Sequence, residues 1–80
     1  MLIGVLFAMG EEAEPFVIRY NLKLKEVYRS QEVYLGEIQK NKVITIVSGI
    51  GSVNAMLACS RLISMGVDVI VNITICFAIC

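Results

Sequence analysis

The sequence predicts an α/β fold in which a mixed β-sheet is flanked by helices. Three apolar runs have the composition of buried strands, and two of them are followed by a glycine-containing turn and a helix-like segment. A β-branched strand, a glycine turn and a helix in this order bring the backbone close to a ligand at the carboxyl edge of a sheet. The predicted order of elements is β-α-β-β-β-α-β.

The chain opens with a strand and a short helix. Residues 2–8 are a continuous apolar run, as expected of a central strand that is covered on both faces. Gly10 leads into an acidic segment whose carboxylates suit the positive end of a helix dipole, and Pro15 is tolerated in a first turn. We expect this helix to end at Asn21. Its buried side would consist of Phe16, Val17 and Tyr20.

The middle of the chain predicts three strands. Residues 22–28 open with the period-two alternation of a strand that has one face in solvent, and residues 32–38 are similar. The polar segment 39–42 joins the second of these strands to the β-branched run at residues 43–47. We therefore expect the strands on either side of this turn to pair as an antiparallel hairpin.

The second helix follows a glycine-bounded turn at residues 48–51 and covers residues 52–65. Its polar edge is narrow, so we expect the helix to be largely covered, with Gly66 as its C-terminal cap. The apolar run at residues 69–75 predicts a fifth strand, again a central one. A right-handed crossover through the helix would place it parallel to the strand at residues 43–47.

Composition narrows the class of protein. Hydrophobic residues make up 58% of the 80 residues, which is more apolar surface than one small layer hides comfortably. We therefore expect either a piece of a larger domain or a protein that needs a partner. Seven basic and seven acidic residues give a net charge of zero, so neither nucleic acid nor an anionic membrane is expected as the main partner.

Cysteine usage and the apolar ends indicate a cytoplasmic protein without a metal site. The chain has three cysteines and no histidine, whereas zinc would need a second pair of ligands. We interpret the cysteines as reduced thiols packed as small hydrophobes. Residues 1–8 lack the basic start and the length of a signal peptide. Residues 69–80 are fewer than the ~20 that a membrane-spanning helix needs.

Two glycine-containing turns, at residues 9–10 and 49–51, follow buried strands. If those strands are parallel, the turns lie at the same edge of the sheet, and Glu11, Glu12 and Ile50 share one crevice. A carboxylate at the mouth of an apolar crevice can serve as a general base. The alternatives are that the glutamates only cap the helix dipole and that Ile50 is a core residue. Without histidine, a histidine-based triad is excluded.

Three ordered motifs resemble those of the methylthioadenosine/S-adenosylhomocysteine nucleosidases. Residues 3–12, IGVLFAMGEE, are similar to the opening strand and acidic turn of that family. Residues 48–55, SGIGSVNA, are similar to its second signature, and residues 68–72, DVIVN, to the strand that leads into its next active-site turn. The hairpin between the motifs also fits, with Tyr34 and Gly36 in the usual positions. The resemblance covers nearly the whole chain.

The resemblance implies a phosphorylase/hydrolase-like three-layer α/β sandwich that acts in methionine salvage and nucleoside catabolism. The implied reaction is hydrolysis of the N-ribosidic bond of a purine nucleoside, 5'-methylthioadenosine or S-adenosylhomocysteine, to adenine and the thioribose. Glu12 would be the general base that activates water, and its charge would stabilise an oxocarbenium-like transition state. Ala8, Met9 and Ile50 would bind the substrate. No metal or cofactor is implied, and self-association as a homodimer is expected.

The end of the sequence departs from the family pattern. After Asn72 the family continues with a glycine-rich turn, whereas residues 73–80 read ITICFAIC. Phe77 and Ile79 are too bulky for the close backbone approach that glycine allows. We therefore interpret residues 1–80 as the N-terminal part of one domain with an atypical tail, as a chain break or reading-frame shift would produce. Because the acid for the leaving purine would be missing, the isolated chain is expected to be inactive.

Three alternatives stay open. A nucleoside phosphorylase shares the implied fold, but Glu11 and Glu12 at the first turn would repel phosphate. A futalosine-type hydrolase acts on a related purine nucleoside, and the residues that set specificity would lie beyond residue 80. The third alternative is a non-enzymatic, truncated fragment, whose apolar tail would be an unprotected sheet element.

Overall fold

The computed structural model describes residues 1–73 as a five-stranded mixed sheet with one helix on each face. The strands are β1 Leu2–Phe7, β2 Lys23–Tyr28, β3 Gln31–Ile38, β4 Asn41–Val47 and β5 Val69–Ile73, and the helices are α1 Gly10–Arg19 and α2 Ser52–Ser64. The order across the sheet is β2-β3-β4-β1-β5. The predicted α/β class and the predicted order of elements along the chain are confirmed.

Strand β1 lies at the centre of the parallel part of the sheet. It pairs in parallel with β4 on one side and with β5 on the other. Val5, Leu6 and Phe7 are at most 5% exposed, as expected of a strand covered on both faces. The predicted antiparallel hairpin is present between β3 and β4, and β2 extends the sheet by pairing antiparallel with β3.

Both hairpins turn through two residues with positive φ. The φ angles are 52° and 66° at Arg29 and Ser30, and 51° and 71° at Gln39 and Lys40. Two consecutive left-handed residues are typical of a type I′ turn, which usually contains asparagine or glycine. Neither turn contains these residues at its centre, so the apolar alternation of the strands must set their register.

Each helix covers one face of the sheet. Helix α2 buries Ala58 and Leu62 completely, and helix α1 buries Ala13. Beneath α2 lie Leu6, Val33, Ile44 and Ile46. Beneath α1 lie Val5, Phe7, Val43 and Val47, with Phe16 and Val17 packed against them. Neither helix is long and apolar enough to cross a bilayer, as far as residues 1–73 are concerned.

Both helices end in a left-handed residue, as the sequence predicts. At the end of α2, Gly66 has a φ of 81°, and the amides of Gly66 and Val67 donate to the carbonyls of Ile63 and Leu62. The end of α1 repeats this pattern with Asn21, which has a φ of 52°. These are Schellman motifs, which satisfy the last carbonyls of a helix and turn the chain sharply.

The expected central position of the last strand is wrong for the part of the chain that the structure describes. Strand β5 is parallel to β4, as predicted, but β1 lies between them. Val69 and Val71 are each 42% exposed, because residues 1–73 supply β5 with a neighbour on one side only. The predicted extension of this strand to Ile75 and the atypical tail from residue 74 onward lie outside the described residues.

The expectation that α2 is largely covered is also wrong within residues 1–73. Only the side that faces the sheet is buried. The exposed large side chains of α2 are Val53, Met56, Leu57 and Ile63, at 68%, 69%, 46% and 64%. An apolar helix surface predicts that something covers it, and the described chain covers only one stripe of this helix.

Arg61 links the outer hairpin to α2. Its Nη2 atom donates to Glu26 Oε1 at 2.9 Å, and its guanidinium lies 5.1 Å from the centroid of the Tyr28 ring. The Arg61 and Glu26 side chains are 21% and 43% exposed, so solvent weakens the ion pair. Strand β2, which is exposed along its length, therefore depends mainly on its backbone pairing with β3.

The close contact between Gly36 and Leu22 generates a prediction about stability. A Cβ atom at Gly36 would collide with the Cδ2 atom of Leu22, whose side chain is 5% exposed. We expect Gly36→Ala to lower the free energy of unfolding by about 1–3 kcal/mol, as overpacking does. Urea denaturation followed by circular dichroism measures the change.

The matched control is Gly10→Ala, because the nearest atom to an added Cβ there is 4.0 Å away. This variant should be as stable as the unchanged chain or slightly more stable, since alanine favours a helix over glycine. Equal stability of the two alanine variants would contradict the packing role of Gly36.

Candidate active site

The carboxyl ends of β1 and β4 place two turns side by side. The strands are parallel and in register, with Phe7 opposite Val47, so the segments that follow them leave the same edge of the sheet. The Ser48 amide donates to the Phe7 carbonyl at 2.8 Å and continues this pairing past the end of β4. The predicted arrangement of both turns at one edge is therefore present.

Glu12 is held at the start of α1 through one of its two carboxylate oxygens. Its Oε1 atom accepts a hydrogen bond from the Met9 amide at 3.2 Å. This is one arm of a capping box, and Met9 has no side-chain oxygen to form the other arm. The Oε2 atom is shielded from solvent and has no hydrogen-bond partner in the described part of the chain. One oxygen therefore fixes the carboxylate, and the other can still accept a hydrogen bond.

A cleft of about 310 Å³ lies between the end of β1, the glycine turn after β4 and the end of β5. Ala8 lines it together with Ser48, Gly49, Gly51, Ser52 and Asn72. Gly49 and Gly51 have φ angles of 90° and 113°, a region that other residues rarely adopt. The glycines are thus required by the path of the backbone, which forms one wall of the cleft.

The two clefts at this edge do not unite Glu11, Glu12 and Ile50, because neither Glu12 nor Ile50 lines either of them. Glu11 lines a different cleft of about 430 Å³, on the α1 side of the sheet, together with Glu14, Glu32 and Tyr34. Ile50 is 73% exposed, so within residues 1–73 the alternative interpretation of Ile50 as a core residue is wrong. The two clefts lie on opposite faces because α1 and α2 cover opposite faces of the sheet.

The cleft on the α1 side is acidic. Three glutamates border it, but within residues 1–73 no three acidic, cysteine or histidine side chains are grouped closely enough to hold a metal ion. Burial, followed by the charge of Glu32, raises the pKa of Tyr34 above its ordinary value of 10.0. The neutral phenol is therefore the form that this environment favours.

The sequence pattern does not single out Gln31, which the structure places next to the glycine turn. Gln31 is 3% exposed, and its Nε2 atom donates to the Ser48 carbonyl at 3.0 Å and to the Asn54 carbonyl at 3.1 Å. The signal in the sequence is its position in β3, two residues before Val33. Both side chains point to the α2 face of the sheet, where a polar residue needs a specific partner.

The environment of Tyr34 predicts a pH dependence. The folded state holds the phenolic proton of Tyr34 more tightly than the unfolded state does. The contribution of this group to the free energy of unfolding is therefore fully present below about pH 10. It is lost as the pH rises through the higher pKa of the folded state. The difference in phenolate absorbance between the unchanged chain and Tyr34→Phe isolates this residue from Tyr20 and Tyr28.

Glu32→Gln should lower the pKa of Tyr34 towards its ordinary value, because the nearby negative charge is removed. Glu37→Gln is the matched control on the same strand and should leave the titration unchanged. A titration midpoint of Tyr34 at pH 10 or below in the unchanged chain would contradict the raised pKa.

Comparison with known proteins gives a family and several similar structures. The family model described as the phosphorylase superfamily matches residues 2–79. A search of curated protein sequences finds no match. Among solved structures, the 5'-methylthioadenosine/S-adenosylhomocysteine nucleosidase of Campylobacter jejuni is 26% identical with a TM-score of 0.84, over 94% of this chain and 33% of that chain.

Two further structures show the range of activities among similar proteins. The 5'-methylthioadenosine/S-adenosylhomocysteine nucleosidase of S. pneumoniae, solved with a transition-state inhibitor, is 30% identical with a TM-score of 0.79, over 90% of this chain and 32% of that chain. The futalosine hydrolase of Helicobacter pylori is 26% identical with a TM-score of 0.76, over 90% of this chain and 32% of that chain. The chain spans about a third of the length of each of these proteins. Because the family model covers nearly the whole sequence, the chain belongs to the phosphorylase superfamily.

Proposed function

We propose that the chain is the N-terminal part of a cytoplasmic purine nucleosidase that hydrolyses 5'-methylthioadenosine or S-adenosylhomocysteine. The observation that carries this proposal is the unequal environment of the two oxygens of Glu12. Oε1 is held by the Met9 amide, and the shielded Oε2 has no partner within residues 1–73. The similarity to nucleosidases over at least 90% of this chain supports the same assignment.

In the proposed reaction, Glu12 Oε2 accepts a proton from water while the water oxygen attacks the anomeric carbon. The bond between that carbon and the purine nitrogen breaks, and its electron pair leaves with the purine. The purine must then gain a proton. We assign this proton to an acid in the part of the similar proteins that this chain does not match, so the isolated 80 residues are proposed to be inactive.

Ala8, Met9 and Ile50 are proposed to bind the substrate. Ala8 leaves room in the 310 Å³ cleft because its side chain is a single methyl group. Met9 is partly buried and supplies the amide that orients Glu12. Ile50 presents an apolar side chain at the ligand-binding edge of the sheet, where it suits the 5'-alkylthio group of the nucleoside.

The charge around the first turn favours water over phosphate as the nucleophile. Glu11, Glu14 and Glu32 line the cleft next to this turn, and their field disfavours a phosphate dianion. A futalosine-type hydrolase is the second candidate, because the Helicobacter pylori enzyme is similar over 90% of this chain. It would use the same base and a different nucleoside.

A hybrid enzyme tests the role of Glu12. Residues 1–72 would replace the matching segment of the S. pneumoniae nucleosidase, which supplies the rest of the domain. We expect the hybrid to release adenine from 5'-methylthioadenosine, and Glu12→Gln to lower kcat by about 10²–10⁴-fold with KM little changed, since the base is lost. Adenine release followed by absorbance or chromatography measures both constants.

Glu11→Gln is the matched control. It removes a carboxylate charge at the neighbouring position, where the side chain is exposed. Its kcat should stay close to that of the unchanged hybrid. Full activity of the Glu12→Gln hybrid would remove Glu12 from its proposed role. Faster hydrolysis of futalosine than of 5'-methylthioadenosine would favour the second candidate.

We also propose that the protein forms a homodimer through the exposed apolar surface of α2. Met56 lies in this surface at 69% exposure. Met56→Lys should shift the 80-residue chain from dimer to monomer in sedimentation velocity, because a charge cannot be buried there without a partner. Ile18→Lys is the control on α1, since Ile18 is also 69% exposed. A dimer that tolerates Met56→Lys would place the interface elsewhere.

A further inference from the structure

The buried side chain of Gln31 forms hydrogen bonds at both ends of the glycine turn at residues 48–51. The two donor hydrogens of Gln31 Nε2 are both used, one on each side of the turn. The Ser48 carbonyl, which accepts one of them at 3.0 Å, lies just past the end of β4. The Asn54 carbonyl, which accepts the other at 3.1 Å, lies in the first turn of α2. Gln31 thus fixes the two ends of the turn relative to each other.

Within the turn the Ser48 hydroxyl donates to the Gly49 carbonyl at 2.9 Å, but the two glycines leave the rest of the turn weakly restrained, so it depends on Gln31. Gly49 and Gly51 lack the side chains that limit backbone rotation. Gly51 is the N-cap residue of α2 and provides no side-chain hydrogen bond, although such a bond usually stabilises a helix start. The amide group of Asn54 donates to the Ile50 carbonyl at 3.0 Å. Gln31 therefore acts on Ile50 in two steps, through the main chain and then the side chain of Asn54.

A buried glutamine at position 31 needs a specific reason, because it lies on the face of β3 that packs against α2. Val33 on the same face of β3 is completely buried, and Leu35 also packs in the cluster beneath α2. A buried amide is unfavourable unless its hydrogens are bonded. Since the two hydrogen bonds of Gln31 reach only the turn and the start of α2, the benefit of this side chain lies in the geometry of the turn.

We propose that Gln31 is a positioning residue for the substrate-binding turn. It fixes the backbone of residues 49–51 and the carbonyl of Ile50, so that the turn is ordered before the nucleoside arrives. In this role Gln31 acts through the turn rather than by contact with the nucleoside. The inference rests on the proposed function, because contact between Ile50 and the nucleoside belongs to that proposal.

Amide hydrogen exchange on the 80-residue chain tests the first half of this inference. The reporter is the Ala55 amide, which donates to the Gly51 carbonyl at 3.1 Å. Gln31→Glu keeps the shape of the side chain, but its carboxylate cannot donate to two carbonyls. We expect the protection factor of Ala55 to fall about tenfold at a pH high enough to ionise this buried carboxyl, and to recover in part at lower pH, where the protonated carboxyl donates one bond.

Gln31→Met is the second variant. Methionine fills a similar volume and is apolar, but it has no hydrogen-bond donor for the two carbonyls. It should lose the same protection at Ala55 without recovery at low pH. Val33→Ala is the control, since its cavity weakens the whole domain and lowers protection throughout the sheet. Unchanged protection of Ala55 in both Gln31 variants would overturn the proposal.

Kinetics of the hybrid enzyme test the second half. Gln31→Met should raise KM for 5'-methylthioadenosine about tenfold with kcat nearly unchanged, since two hydrogen bonds that order the binding turn are lost. A local loss of protection with an unchanged KM would overturn the positioning role. If the unchanged hybrid does not hydrolyse the nucleoside, the proposed function fails, and the exchange measurement still decides whether Gln31 orders the turn.

Discussion

The parallel pairing of β1 with β4 is the constraint on which the rest of the structure depends. It sets Phe7 opposite Val47 and brings the start of α1 and the glycine turn to one edge of the sheet. A shift of one residue would exchange the two faces of β1 and carry Val5 and Phe7 from the α1 side to the α2 side. The 2.8 Å hydrogen bond from the Ser48 amide to Phe7 carries the same register into the site. Core packing and site geometry therefore cannot be separated in this sheet.

Local patterns were sufficient to predict the elements and their order, because strand alternation, helix caps and glycine turns are encoded within a few residues. The positions of β5 and of the outer surface of α2 were not predictable in the same way. The apolar character of Val71 and Met56 indicates that these side chains are suited to burial, but it does not identify what buries them. Residues 1–73 leave both side chains exposed, so the sequence carries information about contacts that this part of the chain does not make.

In the candidate site, too, some features follow from the local sequence and others depend on the folded structure. The placement of Glu12 one turn after a buried strand follows from the local sequence, whereas the different environments of its two oxygens depend on the folded structure. The role of Gln31 is not evident from the local sequence, because its partners lie 17 and 23 residues away. Only its place on the buried face of β3 gave a signal, and a strand's first residue is often exposed. Ile50 was placed at the correct edge, but its high exposure depends on how the glycines direct the turn.

The exposure of Ile50 links the site to the uncovered surface of α2. Ile50, Val53 and Met56 follow one another at intervals of three residues and are 73%, 68% and 69% exposed. Val53 and Met56 lie on one side of α2 at helical spacing, and Ile50 precedes them in the turn that leads into the helix. Under the homodimer proposal, a partner that covers Val53 and Met56 would also approach Ile50 and exclude water from this edge of the sheet. Under the proposed function, loss of water at this edge would strengthen the effect of the Glu12 charge on a developing cation. Under the homodimer proposal, assembly would thus complete the apolar side of the site, while Gln31 keeps the turn in place to receive it.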